Sequence, residues 1–473
     1  MKKTIYQKEK PAMKIITQKT ENDNPITESC SGFFKRFNVS KILRQCGATK
    51  KCGVLTSIVF LFLLGLVFTG KKFNTLIGHY SEEMPFGKDV VYRYIERPTV
   101  NWERTVFLTA NSVIPEIKKL TSDERRSALV FDDTTQYRDR SKKVEMLALC
   151  HDHTKNQYYK GHSILAMGWT DGATFIPVDY RVLSASEDKN LIHGSDVAED
   201  NRTLGTKRRK DARAGKPALV LEMLRNVKGN KTDAKYVMFD SWFSSPSLMI
   251  PICEMGYQVV ARLKNNNTKY YYNGEMLTLK QIYSKNRKRS GKSKYLLSVN
   301  IEVKHKDFER NVDAKIVFVR NKNKRKEWIA LISTDLSLNE EEIIALYGKR
   351  WDIEVFFKVC KSVLKLGKEF QCRSFDSTCS LVAVVFIRYM KLAVDNRENR
   401  DDRSLGQLFI CCCKELDDIS FAQAFSLLLE AFANFIKDSF GLSECHIMTA
   451  VDGFIATLPA LIQQKLNLST CET

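Results

Sequence analysis

The 13 cysteines of this 473-residue chain include no Cys-x2-Cys pair and form no regular framework, so a zinc site has little basis. Scattered cysteines in a chain this long point to a reducing compartment, and the protein is expected to be cytoplasmic. No apolar run reaches the roughly 20 residues needed to cross a bilayer. The most apolar stretch, Val54 to Val67, is shorter and is flanked by Lys50-Lys51 and Lys71-Lys72. It begins too late, and lacks the cleavage pattern, for a signal peptide. It reads as a buried helix, and no membrane partner is expected. Acidic charge is the scarce sign: 55 Asp and Glu stand against 75 Lys and Arg, a net charge of +20. The basic residues recur along the whole length, which favours a polyanionic partner, nucleic acid ahead of a membrane surface. A hydrophobic fraction of 44% excludes a disordered chain, and the length allows two or three domains around a large core.

What is present centres on Tyr347-Gly-Lys-Arg350-Trp-Asp-Ile-Glu354-Val-Phe-Phe-Lys358-Val-Cys-Lys361. Asn339 followed by Glu340, Glu341 and Glu342 reads as a helix start, with an N-cap and acids in the first turn. At about 100° per residue, Tyr347, Arg350, Glu354 and Lys361 fall within roughly a 60° arc, with Lys358 at its edge. Ile353, Phe356, Phe357 and Cys360 make the helix apolar around much of its girth, so it is expected to be largely buried. A carboxylate there needs a partner or a metal. Salt bridges along the helix are the plain reading.

Two acidic positions upstream alter that reading. Ser127-Ala-Leu-Val-Phe-Asp132-Asp133-Thr134-Thr135 is a short apolar run ending in two acids, which reads as a central strand with its acids at the end. A turn is the alternative, since Asp-Asp-Thr-Thr is good turn chemistry. Strand alternation sends the two side chains to opposite faces, so one of them alone would face a site. Lys235-Tyr-Val-Met-Phe239-Asp240 is a second strand ending in an acid. Ser245-Pro246 then opens a helix to about Met255, and Tyr257 to Leu263 is the next strand. This order suggests parallel strands with helical crossovers, whose carboxyl ends carry function. Capping of the following helix is the structural alternative for Asp240.

The spacing Tyr347-x2-Arg350-x3-Glu354-x6-Lys361 resembles the Y-R-E-K motif of DDE transposases of insertion-sequence family four. The Asp-Thr-Thr context at 133–135 and the Asp-Ser-Trp-Phe context at 240–243 resemble that family's two aspartates. The resemblance implies an α/β fold: a ribonuclease-H-like catalytic core with a β-rich insertion, plus all-α N-terminal and C-terminal regions. It selects Asp133 over its rival Asp132, and implies Asp133, Asp240 and Glu354 as catalytic metal ligands. Three carboxylates suit two Mg2+ ions, with Mn2+ as a substitute. Tyr347, Arg350, Lys361 and Lys358 are implied in DNA contacts. The implied activity is cleavage at terminal inverted repeats and 3′-hydroxyl strand transfer into target DNA, by a homodimer on double-stranded DNA. A metal-dependent nuclease without strand transfer, and an inactive DNA-binding descendant, share the same fold.

The expected organisation is a polar arm at 1–28, a helical DNA-binding domain at 29–120, the first part of the core at 121–263, a basic β-rich insertion at 264–313, the second part of the core at 314–370 and a helical region at 371–473. Lys207-Arg208-Arg209-Lys210 lies in a polar stretch, 184–216, read as a loop that is either solvated or held on DNA phosphates. His151-Asp152-His153 lacks a matching second cluster for a metal. Cys411-Cys412-Cys413 sits in a helical stretch and reads as core filling.

Overall fold

The computed structural model describes residues 25–398, apart from 71, 80–85, 123–124, 153–154, 199, 290–292 and 322–326, and a few isolated positions beyond 398. The cysteine run at 411–413 and the apolar stretch 421–436 lie outside the described residues.

The hydrophobic alternation of the sequence becomes one eleven-stranded mixed sheet. Strand β1 (Ala128–Tyr137) pairs antiparallel with β3 (Gln157–Thr170) along its full length. Strands β2 (Ala148–Asp152) and β4 (Phe175–Leu183) also pair with β3. On its other edge β1 runs parallel to β5 (Tyr236–Phe239), which runs parallel to β6 (Gln258–Leu263). The order β4-β3-β1-β5-β6, three antiparallel strands followed by a parallel pair, is consistent with a ribonuclease-H-like core. The sheet continues through β11 (Trp328–Ser333), β10 (Val312–Arg320), β9 (Leu297–Val303), β7 (Lys269–Tyr272) and β8 (Glu275–Thr278). Residues 264–313 therefore extend the central sheet; their strands do not form a sheet of their own.

Among the described residues six α-helices precede β1: α1 (Pro25–Arg36), α2 (Val39–Gln45), α3 (Thr56–Leu66), α4 (Phe73–His79), α5 (Lys88–Ile95) and α6 (Trp102–Lys119). Helix α2 ends where Gly47 takes φ 86°, and a Cβ there would lie 2.7 Å from the carbonyl oxygen of Thr99. Glycine alone fits that turn. The apolar run at 54–67 is α3, with Val59, Phe60, Leu63 and Leu64 buried.

One described helix, Phe375–Glu398, is long and apolar enough to cross a membrane, but 94% of its apolar window is buried inside the fold. Asp376, Arg388 and Lys391 on it are buried with partners. Arg388 donates to Glu369 at 2.8 Å and to the carbonyl of Leu64 at 3.1 Å, and also bonds the carbonyl of Leu63. One guanidinium thus ties this helix to the carbonyls of α3, whose last turn leaves such groups unpaired.

The basic run at 207–210 is not a loop. It lies in a helix, Leu204–Ala212, capped by Thr203. Arg209 bonds Glu145 at 2.6 and 2.8 Å, and Arg208 pairs with Asp376 and bonds the carbonyl of Val100 at 2.8 Å. Lys207 pairs with Asp211 and Glu222. Arg208 and Arg209 are spent inside the fold, each required by a buried carboxylate, whereas Lys207 is exposed.

His162, fully buried on β3, has its Nε2 3.3 Å from the Glu145 carbonyl and no partner for Nδ1. Burial holds its imidazole down at about 4. The unfolded chain takes up a proton near pH 6.5, whereas the folded chain waits until about 4. Stability is therefore lost as pH falls from 6.5 to 4, by up to about 3 kcal/mol. Comparing unfolding of the intact chain and His162→Gln across that window should show a shallower decline for the variant.

Candidate active site

Strand β1 has two partners along Ala128–Val130 and only β3 beyond that point. The two acids are thus mid-strand, not at its end as expected. They stand where the neighbouring strand β5 stops and Asp240 begins. Asp132 turns to one face. Its carboxylate takes the N–H of Asp133 at 2.8 Å and pairs with Arg350 at 3.1 Å. Asp133 turns to the other, where Ser163 donates at 2.8 Å and Lys216 pairs at 2.9 Å. The family context favoured Asp133; the side chain that meets Arg350 is that of Asp132. Pleating decides this, since adjacent strand residues cannot share a face.

Asp240 follows the last residue of β5, and its Oδ1 accepts the N–H of Trp242 at 2.8 Å. The structural alternative of capping does not hold for Pro246–Glu254: its N-cap is Ser245, and no side chain caps it.

The stretch from 339 to 362 is two helices, not one. Glu340–Gly348 begins with the expected Asn339 cap, reinforced by a reciprocal bond from Glu342. Trp351–Ser362 follows after Lys349 and Arg350. Its buried side is Ile353, Phe356, Phe357, Val359 and Cys360, whereas Trp351 is 62% and Val355 41% exposed. The helix is thus less buried than its composition suggested. Arg350 sits at the junction and reaches both ways, to Asp132 on β1 and to Glu354 one turn on.

The structure brings Asp132, Asp240, Tyr347, Arg350 and Glu354 to one place. Burial pushes the Asp132 carboxyl up to about 7; Arg350 opposes this, and the like charge of Asp240 adds to it. Burial also raises the Tyr347 phenol, against the positive charges of Arg350 and Arg262. Lys361 lies apart from Arg350, with its Nζ 3.2 Å from Thr135 Oγ1 and its ammonium pKa lowered by burial. Lys358 is exposed. Three further side chains surround the site. Lys216 lies 4.6 Å over the Trp242 ring while pairing with Asp133. Trp242 is 44% exposed beside Asp240. Arg262 on β6 is exposed next to Tyr347. Lys216 and Arg262 carried no usable sequence signal; Trp242 stands within the Asp-Ser-Trp-Phe context.

The donors on the Asp132 side are all carboxylate oxygens, the chemistry a hard divalent cation takes. Among the described residues, no three His, Cys, Asp or Glu side chains are grouped ready to hold a metal ion. The Arg350 guanidinium fills the space between Asp132 and Glu354. The donor set fits such an ion once that guanidinium moves aside.

Residues 201–390 match the family described as transposase DDE domain. The match supports a DDE transposase, an enzyme acting on DNA. It covers Asp240 and the whole of Tyr347–Lys361, and it begins downstream of Asp132 and Asp133. No curated protein matches the chain.

Arg350→Ala removes the counter-charge of a part-buried carboxylate. It should cost about 2–3 kcal/mol of stability at pH 8. The loss should shrink at pH 5.5, where the Asp132 carboxyl, with its pKa already near 7, is neutral without help. Denaturant unfolding of the variant and the intact chain at both pH values checks this.

Proposed function

We propose that this chain is a DNA transposase of the Y-R-E-K class, acting on the terminal inverted repeats of an insertion sequence by hydrolytic strand cleavage and 3′-hydroxyl strand transfer. The observation that supports the reading is the ion-paired set of Asp132, Arg350 and Glu354, with the charge of Asp240 acting on Asp132, within a core whose larger part matches the transposase DDE domain. We take Asp132, in place of Asp133, as the first metal ligand, because Asp133 is engaged by Lys216 and Ser163 on the opposite face. Asp240 and Glu354 complete the set.

Two divalent cations held there, Mg2+ with Mn2+ as a substitute, would supply the charge neutralisation that phosphoryl transfer needs. The protein's own part is positioning. Arg350, freed from Asp132, is within reach of a scissile phosphate and offers it a bidentate fork. Tyr347 beside it orients the strand. Lys361, whose ammonium pKa is lowered by burial, and the exposed Lys358 meet the backbone farther along the same helix. The exposed Trp351 and Val355 give a flanking nucleotide an apolar surface. Paired transposon ends imply a homodimer on DNA. The cytoplasm, at the nucleoid, is where such a protein works.

The test is cleavage of a DNA fragment carrying the element's own ends, with Mg2+ and with EDTA. Asp132→Asn, Asp240→Asn and Glu354→Gln should each lower the cleavage rate by at least about a thousandfold, since each removes a ligand of a charge-neutralising site. Asp133→Asn should retain cutting within about tenfold. Full activity in Asp132→Asn with loss in Asp133→Asn would restore the ligand that the family context suggested.

A further inference from the structure

The ladder between β1 and β5 ends at Val130 opposite Met238. Asp132 and Asp240 both lie beyond it, so backbone pairing between these two strands no longer sets their separation. Each carboxylate is instead oriented by the N–H of a near neighbour. Asp132 Oδ1 accepts from Asp133 at 2.8 Å, and Asp240 Oδ1 accepts from Trp242 at 2.8 Å. One side chain touches both of those neighbours. Lys216 Nζ is 2.9 Å from the Asp133 carboxylate and 4.6 Å from the centre of the Trp242 ring. The ring quadrupole attracts an ammonium held over its face. The ion pair and the ring contact therefore act together across the open step between the strands.

The place of this lysine on its own helix is a second, independent observation. Lys216 is the first residue of Lys216–Val227, whose N-cap is Gly215 and whose first turn holds no acid. A cation there meets the positive end of the helix dipole, so the position is unfavourable for the helix itself. Contacts outside the helix offset that cost. Asp133 is gripped from two sides, since Ser163 on β3 donates to the same carboxylate at 2.8 Å. On the other face of β1, Arg350 pairs with Asp132. The strand is thus held by a cation on each face at the level where its second partner strand stops.

We propose that Lys216 is a positioning residue that holds the Asp132 strand and the Asp240 turn at a fixed spacing, by bridging the Asp133 carboxylate and the Trp242 ring. It acts on the two acids through the neighbours that donate to them. The consequence for metal affinity rests on the reading that Asp132 and Asp240 are metal ligands.

The first measurement is amide hydrogen exchange of the full-length protein without DNA or metal. In Lys216→Met, residues 131–135 and 240–243 should exchange about tenfold faster, with the rest of the sheet unchanged. Lys216→Arg keeps a charge that stacks on indole, and should return both segments to within about threefold of the intact protein. Trp242→Leu keeps the ion pair and should speed exchange at 240–243 alone, which covers the case of a Lys216→Met chain that folds poorly. Unchanged exchange in both segments would overturn the proposal, as would faster exchange spread over the whole sheet, which would make Lys216 a contributor to overall stability only. The second measurement is calorimetric titration of Mn2+ into the protein bound to already cleaved DNA ends. Lys216→Met should weaken Mn2+ binding about tenfold, with the salt dependence of DNA affinity unchanged. Faster exchange with unchanged Mn2+ affinity would overturn the positioning role. A slope of log K against log salt lower by about 1, with exchange unchanged, would assign Lys216 to a DNA phosphate and also overturn it. Failure of the metal-site reading looks different: the intact protein would show no Mn2+ binding that Asp132→Asn or Asp240→Asn removes, and the exchange result would still decide for or against Lys216.

Discussion

Arg350 carries the central constraint. Three carboxylates drawn towards one place in a low-dielectric setting repel one another and lose hydration, and the fold tolerates them only with a counter-charge among them. The guanidinium spans from β1 to the first turn of Trp351–Ser362, so it also fixes how that helix docks against the sheet. The same ion pair occupies oxygens of Asp132 and Glu354. In the proposed reading, a divalent cation would compete with Arg350 for the same oxygens. Phosphate, which wants a guanidinium, would relieve that competition by giving Arg350 another partner. Substrate and metal would then favour each other, because each removes an obstacle to the other.

The rest of the molecule repeats this logic with a different outcome. Arg208, Arg209 and Arg388 are buried, paired and remote from the carboxylates. They join Phe375–Glu398 to the helices before β1 and to the loop bearing Glu145. A strongly basic chain thus spends part of its positive charge on internal joints. The positive charge offered outward is spread over the surface, with Arg262, Lys358 and the Arg287-Lys288-Arg289 run among it. Net charge alone points to a polyanion; the pairing of each cation determines which side chains meet it.

The sheet explains why the site is where it is. Strand β5 stops at Phe239 while β1 runs on to Tyr137. The step between them exposes Asp132 and Asp240 at one level, and the helix bearing Glu354 closes over it.

Much of this was legible in the chain itself. Helix period, the Asn339 cap, the Ser245-Pro246 helix start and the apolar strands before Asp132 and Asp240 are local signals, set by backbone sterics and by which residues satisfy free N–H groups. The resemblance of Tyr347, Arg350, Glu354 and Lys361 to a known motif added the expected chemistry. Tertiary structure decided the rest. Sequence could state that Asp132 and Asp133 face opposite ways, but the direction each one takes depends on which side of the sheet the Arg350 helix packs. It could not say that Arg208 and Arg209 are internal, because Glu145 and Asp376 are distant along the chain. Nor could it foresee the break at Gly348 to Arg350, or the extension of the central sheet by 264–313. Local geometry follows from neighbouring residues; charge pairing and facing depend on residues far apart in sequence, and only folding brings those together.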